Sequence, residues 1–216
     1  MKRIQIIVCI LTLTFLVKTG YSQGTIPNSS FEDWVPDSIE SMMGGKVYFD
    51  RPDNWNPLLS LIFSIFSESP INLTKTTDHH GSGEYAAKIF IDNDEVGADL
   101  ACIFPFSERP EYLKYYYKKN NSVDTVSVMV ALTKYNHVKD TQDVVGIFDT
   151  FIIQSSSTFT ELIADIDYMD TVDPDSAFIW ITYFEGTTGG DFIIDNVSFG
   201  NYTGIANSDE GLKVNI

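Results

Sequence analysis

Two acidic residues more than 160 positions apart, Glu32 and Asp195, have the setting of a cation site. Each stands beside large apolar residues in a short run that is predicted to be a strand, at 29–34 and at 191–200. The first and last strands of an antiparallel sandwich often pair, so the two carboxylates are predicted to meet. Carboxylates that meet away from water repel each other unless a cation or a shared proton lies between them. The alternative is that each acid only accepts hydrogen bonds from backbone N–H groups at a strand end.

A second group of residues has the composition of a sugar-binding surface. In the strand-like run 111–118, Leu113, Tyr115 and Tyr117 point to one side and are predicted to belong to the core. The opposite side mixes tyrosine with lysine, and β-sandwiches bind sugars by stacking aromatic rings on pyranose rings while polar groups hold the hydroxyls. The residues predicted to bind a ligand are Tyr112, Lys114, Tyr116 and, from a neighbouring strand, Trp180. The alternative is that these are ordinary cross-strand pairs on a solvated face.

The sequence contains no motif that indicates catalysis. Gly81-Ser82-Gly83 lacks the five-residue pattern of a nucleophile elbow. Adjacent His79 and His80 on an extended chain would point to opposite faces, which disfavours a zinc site. Some pair of the 30 Asp and Glu residues could always be nominated as a glycosidase pair, so such a nomination has no weight. No catalytic residue is predicted, and a non-enzymatic function is favoured over an enzymatic one.

Residues 1–22 have the organisation of a secretory signal peptide. Lys2 and Arg3 precede an apolar run over 4–17, and Gly20-Tyr21-Ser22 supplies small residues for cleavage. The apolar run is shorter than the roughly 20 residues of a membrane-spanning helix, so no transmembrane segment is expected after cleavage. The mature protein is therefore predicted to be secreted, and to be extracellular or at the cell surface.

The mature chain is strongly acidic. Removal of residues 1–22 takes away three of the 14 Lys and Arg residues and none of the 30 Asp and Glu residues, which leaves a net charge near −19. Such a surface repels phosphate backbones, so nucleic acid is excluded as a partner, and it attracts divalent cations. Only Cys102 remains after cleavage, so no intrachain disulfide can form, and Cys102 is expected to be a buried, inert thiol. A monomer is expected.

The remaining pattern predicts one all-β domain, an antiparallel jelly-roll β-sandwich over residues 23–200. Short runs rich in Val, Ile, Phe and Tyr are separated by Gly, Asn, Asp and Pro. Residues 58–66 lack clean alternation and fit either a short helix packed on the sandwich or an extra strand, with the helix favoured, whereas 158–170 are predicted to be extended. The predicted strands are 29–34, 46–50, 71–77, 84–92, 98–104, 111–118, 123–134, 144–154, 176–185 and 191–200.

The tail, 201–216, is polar and is predicted to be a linker. Its last six residues, Gly211-Leu212-Lys213-Val214-Asn215-Ile216, resemble the segment that leads into the Tyr-Pro-Asn-Pro opening of a type IX secretion sorting domain. Such a domain would follow directly and would bring the protein to the cell surface. A chain that naturally ends at Ile216 is the alternative, and both interpretations stay open.

The order and spacing of several motifs resemble one family, the carbohydrate-metabolism, carbohydrate-binding-module-like (galactose-binding-like) jelly-roll domain of Bacteroidetes-type secreted proteins. Each motif is degenerate alone, and together they span residues 28–199. The similar motifs are Asn-x-x-Phe-Glu at 28–32, Pro-x-x-Trp at 52–55, the glycine-led strand 81–89, the aromatic run 104–118, Asp-x-Val-x-Val at 124–128 and Ile-Asp-Asn-Val at 194–197.

The resemblance implies a non-catalytic carbohydrate-binding-like module for a polysaccharide or glycan, with a structural Ca²⁺ held by Glu32 and Asp195. Carbonyl oxygens of the Pro27–Asn28 turn and the Gly81–Gly83 loop would complete the shell of six to eight oxygens that calcium takes. The sequence departs from the family where Asn196 replaces a second acid, which makes one possible ligand oxygen neutral. The rival functions are an extracellular adhesion or structural domain and a carbohydrate-active enzyme.

Overall fold

Strands dominate the structure, as the alternation of apolar and polar residues predicts. Twelve strands and one helix lie in the described residues, and no helix among them is long and apolar enough to cross a membrane. The predicted signal peptide, 1–22, and all but the first two residues of the predicted linker, 201–216, lie outside the described part of the chain. The computed structural model describes residues 24–91, 98–121, 123–184 and 190–202.

Nine of the ten predicted strands correspond to observed strands, and the tenth, 29–34, shares only Trp34 with one of them. The helix, α1 (Leu58–Ser67), confirms the favoured interpretation of 58–66, and two strands confirm that 158–170 are largely extended. The strands are β1 (Trp34–Glu40), β2 (Lys46–Pro52), β3 (Leu73–Thr76), β4 (Ala86–Phe90), β5 (Ala98–Pro105), β6 (Tyr112–Lys119), β7 (Thr125–Asn136), β8 (Thr141–Ile152), β9 (Ser156–Asp165), β10 (Asp167–Tyr168), β11 (Ser176–Phe184) and β12 (Asp191–Gly200).

Two five-stranded antiparallel sheets pack face to face and form a sandwich. Sheet I has the strand order β10-β8-β7-β11-β5, and sheet II has the order β3-β4-β12-β6-β9. Residues of both sheets share one hydrophobic cluster, which is the core between them. The strands β1 and β2 form a separate hairpin. The predicted fold class, an antiparallel jelly-roll β-sandwich, is confirmed.

Alternate residues of each strand build the core. On β7, Val126, Val128 and Leu132 are fully buried, as their period of two predicts. On β5, Cys102 is buried as expected. Burial raises the pKa of the Cys102 thiol, which keeps the thiol protonated and unreactive.

Residues 29–33 are not a strand, which corrects the predicted pairing of the first and last strands. The carbonyl of Asn28 accepts a hydrogen bond from the N–H of Phe31 (3.0 Å), and Phe31 has a positive φ of 55°, which an extended strand cannot contain. β1 pairs with β2 instead, and β12 lies between β4 and β6. The turn still touches β12, because the N–H of Val197 donates to the carbonyl of Ser29 (2.9 Å).

The helix α1 begins at a carboxylate supplied by another element. Asp99 of β5 accepts hydrogen bonds from the N–H groups of Leu59 (3.0 Å) and Ser60 (3.1 Å). The N–H groups of the first turn have no acceptor within a helix. Asp99 therefore accepts their hydrogen bonds in place of an N-cap side chain. The helix ends at Glu68, whose left-handed conformation (φ 56°) stops the last turn.

Tyr115 is expected to tolerate the loss of its hydroxyl group. Its side chain is fully buried, and the hydroxyl has no hydrogen-bond partner among the described residues. A buried hydroxyl without a partner costs roughly 1 to 3 kcal/mol, so Tyr115→Phe is expected to keep the free energy of unfolding or to raise it by about 1 kcal/mol. Urea unfolding of both proteins measures the difference. A loss of more than about 1 kcal/mol would show that the hydroxyl makes a stabilising bond.

Candidate functional site

Glu32 fixes one end of the loop between β3 and β4, residues 78–85, which we call the glycine loop. Its carboxylate accepts hydrogen bonds from the N–H of Glu84 (3.1 and 3.0 Å to the two oxygens) and from the N–H of Tyr85 (3.3 Å). Gly83 permits this approach, since a Cβ there would lie 2.2 Å from a Glu32 oxygen. Its φ of +145° is also one that glycine adopts without strain.

The Asn-x-x-Phe-Glu motif aims Glu32 at this loop. The Asn28 amide donates to the carbonyl of Asp33 (2.7 Å) and accepts from its N–H (3.1 Å), which closes the turn. Phe31 is fully buried and its ring centroid lies 5.1 Å from that of Trp55. The buried ring and the closed turn fix the backbone on both sides of Glu32, whose side chain bonds to the glycine loop.

Asp195 holds the middle of the same loop from β12. It is 1% exposed, and its oxygens accept hydrogen bonds from the N–H groups of His80 (2.7 Å) and Asn196 (2.7 Å). The Asn196 amide also donates to the His80 carbonyl (2.7 Å). Burial raises the pKa of Asp195, the two backbone hydrogen bonds oppose that rise, and the Glu32 carboxylate adds to it.

Glu32 and Asp195 therefore come together through a loop and not through paired strands. They are close enough for Glu32 to raise the pKa of Asp195, and both accept backbone N–H bonds, as the alternative interpretation of the sequence had it. The carbonyl of Pro27 accepts from the Trp55 indole (2.9 Å), and that of Asn28 closes its own turn. In the described part of the chain no group of three or more His, Cys, Asp or Glu side chains is placed to hold a metal.

Three of the four predicted ligand-binding residues lie in a row on the outer face of sheet II. Tyr112, Lys114 and Tyr116 of β6 are partly exposed, whereas the residues between them are buried. Lys114 is flanked by Ser198 of β12 and Ile163 of β9. Its ammonium lies 6.0 Å from the Tyr116 ring centroid. We call Tyr112, Lys114 and Tyr116 the β6 row.

The glycine loop covers one end of the β6 row. The His80 ring stacks on the Tyr116 ring, with centroids 3.6 Å apart and planes 11° from parallel. The Tyr116 hydroxyl donates to Glu161 of β9, and this hydrogen bond raises the pKa of Tyr116. One face and the hydroxyl of Tyr116 are thus already in contact with protein. At the other end of the row the Tyr112 ring packs against that of Tyr202, with centroids 4.9 Å apart, so Lys114 lies between two rings that are each partly covered.

Trp180 lies on the opposite side of the sandwich from the β6 row. It belongs to β11 in sheet I, whereas β6 belongs to sheet II. Its ring packs beside Phe178 (centroids 6.1 Å apart) in a small outer apolar cluster, and its indole N–H donates to Asp99 (3.0 Å). The prediction that Trp180 shares a groove with the β6 row is wrong, because the two strands are not neighbours.

Sequence reasoning missed two residues that organise these surfaces, His80 and Asp99. Burial raises the pKa of Asp99, and the bonds from Leu59, Trp180 and Ser60 oppose that rise. An acid inside the apolar run 98–105 is a usable signal, because a buried carboxylate needs donors around it. His80 has no comparable signal, since its stack on Tyr116 depends on how two acids position the glycine loop.

The sequence matches no protein-family model and no curated protein at a significant level. Among solved structures, a candidate glycoside hydrolase from Bacteroides thetaiotaomicron covers 87% of this chain and 73% of its own, at 12% identity and a TM-score of 0.57. Another candidate glycoside hydrolase, from Bacteroides vulgatus, covers 82% of this chain and 98% of its own, at 11% identity and a TM-score of 0.55. A carbohydrate-binding module of family 28, specific for non-crystalline cellulose, covers 86% of this chain and 100% of its own, at 12% identity and a TM-score of 0.48. The two Bacteroides structures share the fold of this chain.

Proposed function

We propose that the chain is a secreted, non-catalytic carbohydrate-binding module that binds a polysaccharide or glycan on the outer face of sheet II. The observation that carries the proposal is the β6 row, in which Tyr112, Lys114 and Tyr116 are partly exposed at alternate positions of one strand. Tyrosine faces stack on pyranose rings, and a lysine ammonium donates hydrogen bonds to hydroxyl oxygens. Such a row gives a sugar an apolar platform with a polar group at its centre.

The proposed location is extracellular, with attachment at the cell surface. Residues 1–22 have the sequence of a secretory signal, and the last six residues resemble the approach to a type IX secretion sorting domain. A net charge near −19 for the mature chain suits a soluble exported protein, and it attracts divalent cations to the surface.

A structural Ca²⁺ is part of the proposal. Glu32 and Asp195 would hold the ion together with carbonyl oxygens of residues 81–83, and each carboxylate retains lone pairs beyond those that accept N–H bonds. The negative charge of Glu32 disfavours the ionised form of the buried Asp195. A divalent cation between the two carboxylates would offset this repulsion. A bound ion would fix the glycine loop, and with it the position of His80 on Tyr116.

Substitutions in the β6 row are expected to weaken sugar binding. A glycan array with the mature chain in calcium identifies the ligand, and isothermal titration then measures its affinity. Tyr112→Ala and Lys114→Ala should each raise the dissociation constant roughly tenfold or more, the scale of a lost stacking or charge-assisted contact. Trp180→Ala, on the opposite sheet, should leave the affinity unchanged.

Thermal unfolding of each variant separates a loss of binding from a loss of fold. A loss of sugar affinity in Trp180→Ala alone would indicate that the sugar binds to sheet I. A wild-type chain that binds no glycan would contradict the proposed function and favour the rival adhesion or structural domain. Release of reducing ends from a bound glycan would contradict the non-catalytic part of the proposal.

Calcium is expected to raise the melting temperature of the mature chain by about 5 to 10 °C over the value in excess chelator. A ligand that binds only the native state adds about 2.7 kcal/mol at a hundred times its dissociation constant, and each kcal/mol corresponds to about 2 to 4 °C in a domain of this size. Scanning calorimetry measures both curves.

Variants of the two acids test whether such a shift comes from the proposed ligands. Glu32→Gln and Asp195→Asn should each remove the shift. Asp149→Asn, an exposed acid on β8, is the matched control and should keep it. Identical wild-type curves with and without calcium would contradict the metal and leave the sugar proposal standing.

A further inference from the structure

The helix α1 leaves three of its large apolar side chains exposed. Ser60 and Ser64 are its buried residues, whereas Ile62, Phe63 and Phe66 are between 40% and 61% exposed. A surface helix normally buries its apolar stripe and exposes its polar one. Leu58 and Leu61 do pack against the sandwich, but the described residues leave Ile62, Phe63 and Phe66 largely uncovered.

The turn of the β1–β2 hairpin extends this apolar surface. Met42 and Met43 are 74% and 75% exposed, and the N–H of Met42 donates to the carbonyl of Ile65 in the last turn of α1 (2.7 Å). The N–H of Gly45 donates to the Glu68 carboxylate at the helix end (2.9 Å). These bonds fix the turn against the helix. We call the joint surface of Met42, Met43, Ile62, Phe63 and Phe66 the α1 patch.

The α1 patch is an uncharged area on a strongly acidic protein. Residues 41–45 and 57–67 contain no charged residue, although the mature chain has a net charge near −19. Five such side chains expose on the order of 500 Å² of apolar surface, at about 200 Å² for a full side chain. An area of this size is that of the largest apolar patch on a typical monomer, which is often functional. It supplies more than half of the roughly 800 Å² that each partner buries in a standard interface.

We infer that a second copy of this chain covers the α1 patch, in a two-fold symmetric dimer with α1 packed against its counterpart. In an isologous contact the same patch meets itself, so apolar side chains face apolar side chains without a second complementary surface. Two copies near −19 repel each other least where neither carries a charge. The patch has no Lys or Arg to attract anionic lipid, which disfavours a membrane as the occupant. The inference departs from the monomer expected from the sequence and is independent of sugar binding.

Sedimentation velocity of the mature chain over about a hundredfold concentration range tests the dimer. We expect a concentration-dependent dimer that tightens when salt rises from about 50 to 500 mM, because salt screens the repulsion between the acidic copies. The double substitution Phe63→Ser with Phe66→Ser should weaken the dimer at least about tenfold, since buried aromatic residues dominate interfaces. Both phenylalanines are exposed in the monomer, so the variant should keep the wild-type melting temperature at low concentration.

Phe151→Ser is the matched control, because Phe151 is 58% exposed but lies on β8, away from the α1 patch. It should leave dimerisation unchanged. A wild-type chain that stays monomeric at every concentration and salt level would overturn the inference. Equal weakening by the control would overturn it as well, and so would binding to neutral phosphatidylcholine vesicles in place of self-association.

Discussion

Replacing Trp55 with alanine is expected to lower the free energy of unfolding by about 3 to 5 kcal/mol, the range of buried aromatic truncations. Trp55 is fully buried, its ring packs on that of Phe31 with centroids 5.1 Å apart, and its indole N–H donates to the Pro27 carbonyl (2.9 Å). The substitution would leave a cavity and remove a hydrogen bond at the turn that carries Glu32. Denaturant unfolding followed by far-ultraviolet circular dichroism measures the loss.

Trp34→Ala is the control for this substitution. Trp34 packs only partly buried against the core, although its indole also donates to a carbonyl, that of Phe31 (2.6 Å). Its loss should therefore cost clearly less than that of Trp55, because the free energy of truncation follows the area and volume removed from the core. Equal losses would mean that Trp55 is not the anchor of the turn. Neither variant should change the affinity for a sugar at temperatures where it is folded.

The strands of the sandwich were predictable because burial in a sheet has a period of two. β7 illustrates this, since Val126, Val128 and Val130 belong to the core between the sheets, whereas Met129 and Ala131 between them belong to the small outer cluster. β12 was predicted with both of its ends correct, because Gly190 and Asn201 flank a run rich in Phe, Ile and Val. The helix α1 was also predictable, since 58–66 is apolar without alternation.

The segment 29–34 was mispredicted because a buried turn and a strand can have the same composition. Phe31 is buried, as a strand residue would be, but it is placed by a left-handed backbone conformation and by the Asn28 side chain. Apolar residue types indicate that a segment is buried, but they do not indicate whether φ is positive or negative at a given residue. Asn28 at the start of the segment was the available turn signal, since asparagine side chains commonly bond the backbone close by.

The candidate site was predictable strand by strand but not across strands. Alternation showed which residues of β6 face away from the core, and the structure confirms that Tyr112, Lys114 and Tyr116 share one face. Alternation cannot tell to which sheet a strand belongs, and Trp180 was therefore assigned to a neighbour of β6 although it lies in the other sheet. The order of strands in a sheet depends on long connections between distant segments, and those leave no periodic trace in the sequence.

Replacing Asp99 with alanine is expected to lower the free energy of unfolding by about 3 to 5 kcal/mol, the scale of a removed partner in a buried charged network. Its carboxylate is 1% exposed and accepts hydrogen bonds from the N–H groups of Leu59 and Ser60 and from the Trp180 indole (3.0 Å). Without it, these donors would be buried with no acceptor, and α1 would lose its cap. The Trp180 fluorescence spectrum should change with the loss of its hydrogen bond, whereas a general loosening of the core would not single out that residue.

The difference in stability between the wild type and Asp99→Ala is also expected to depend on pH. Burial raises the pKa of Asp99 in the native state, so the native protein binds a proton more readily than the unfolded chain does. The wild-type advantage should therefore be largest below the ordinary pKa of an aspartate, about 4, and should fall as pH rises to the raised native value, above which it is constant. Asp167→Ala removes an exposed acid of β10 and should change stability by less than about 0.5 kcal/mol at any pH. An Asp99 variant as mild as this control would contradict the role of Asp99 as the common acceptor of α1 and Trp180.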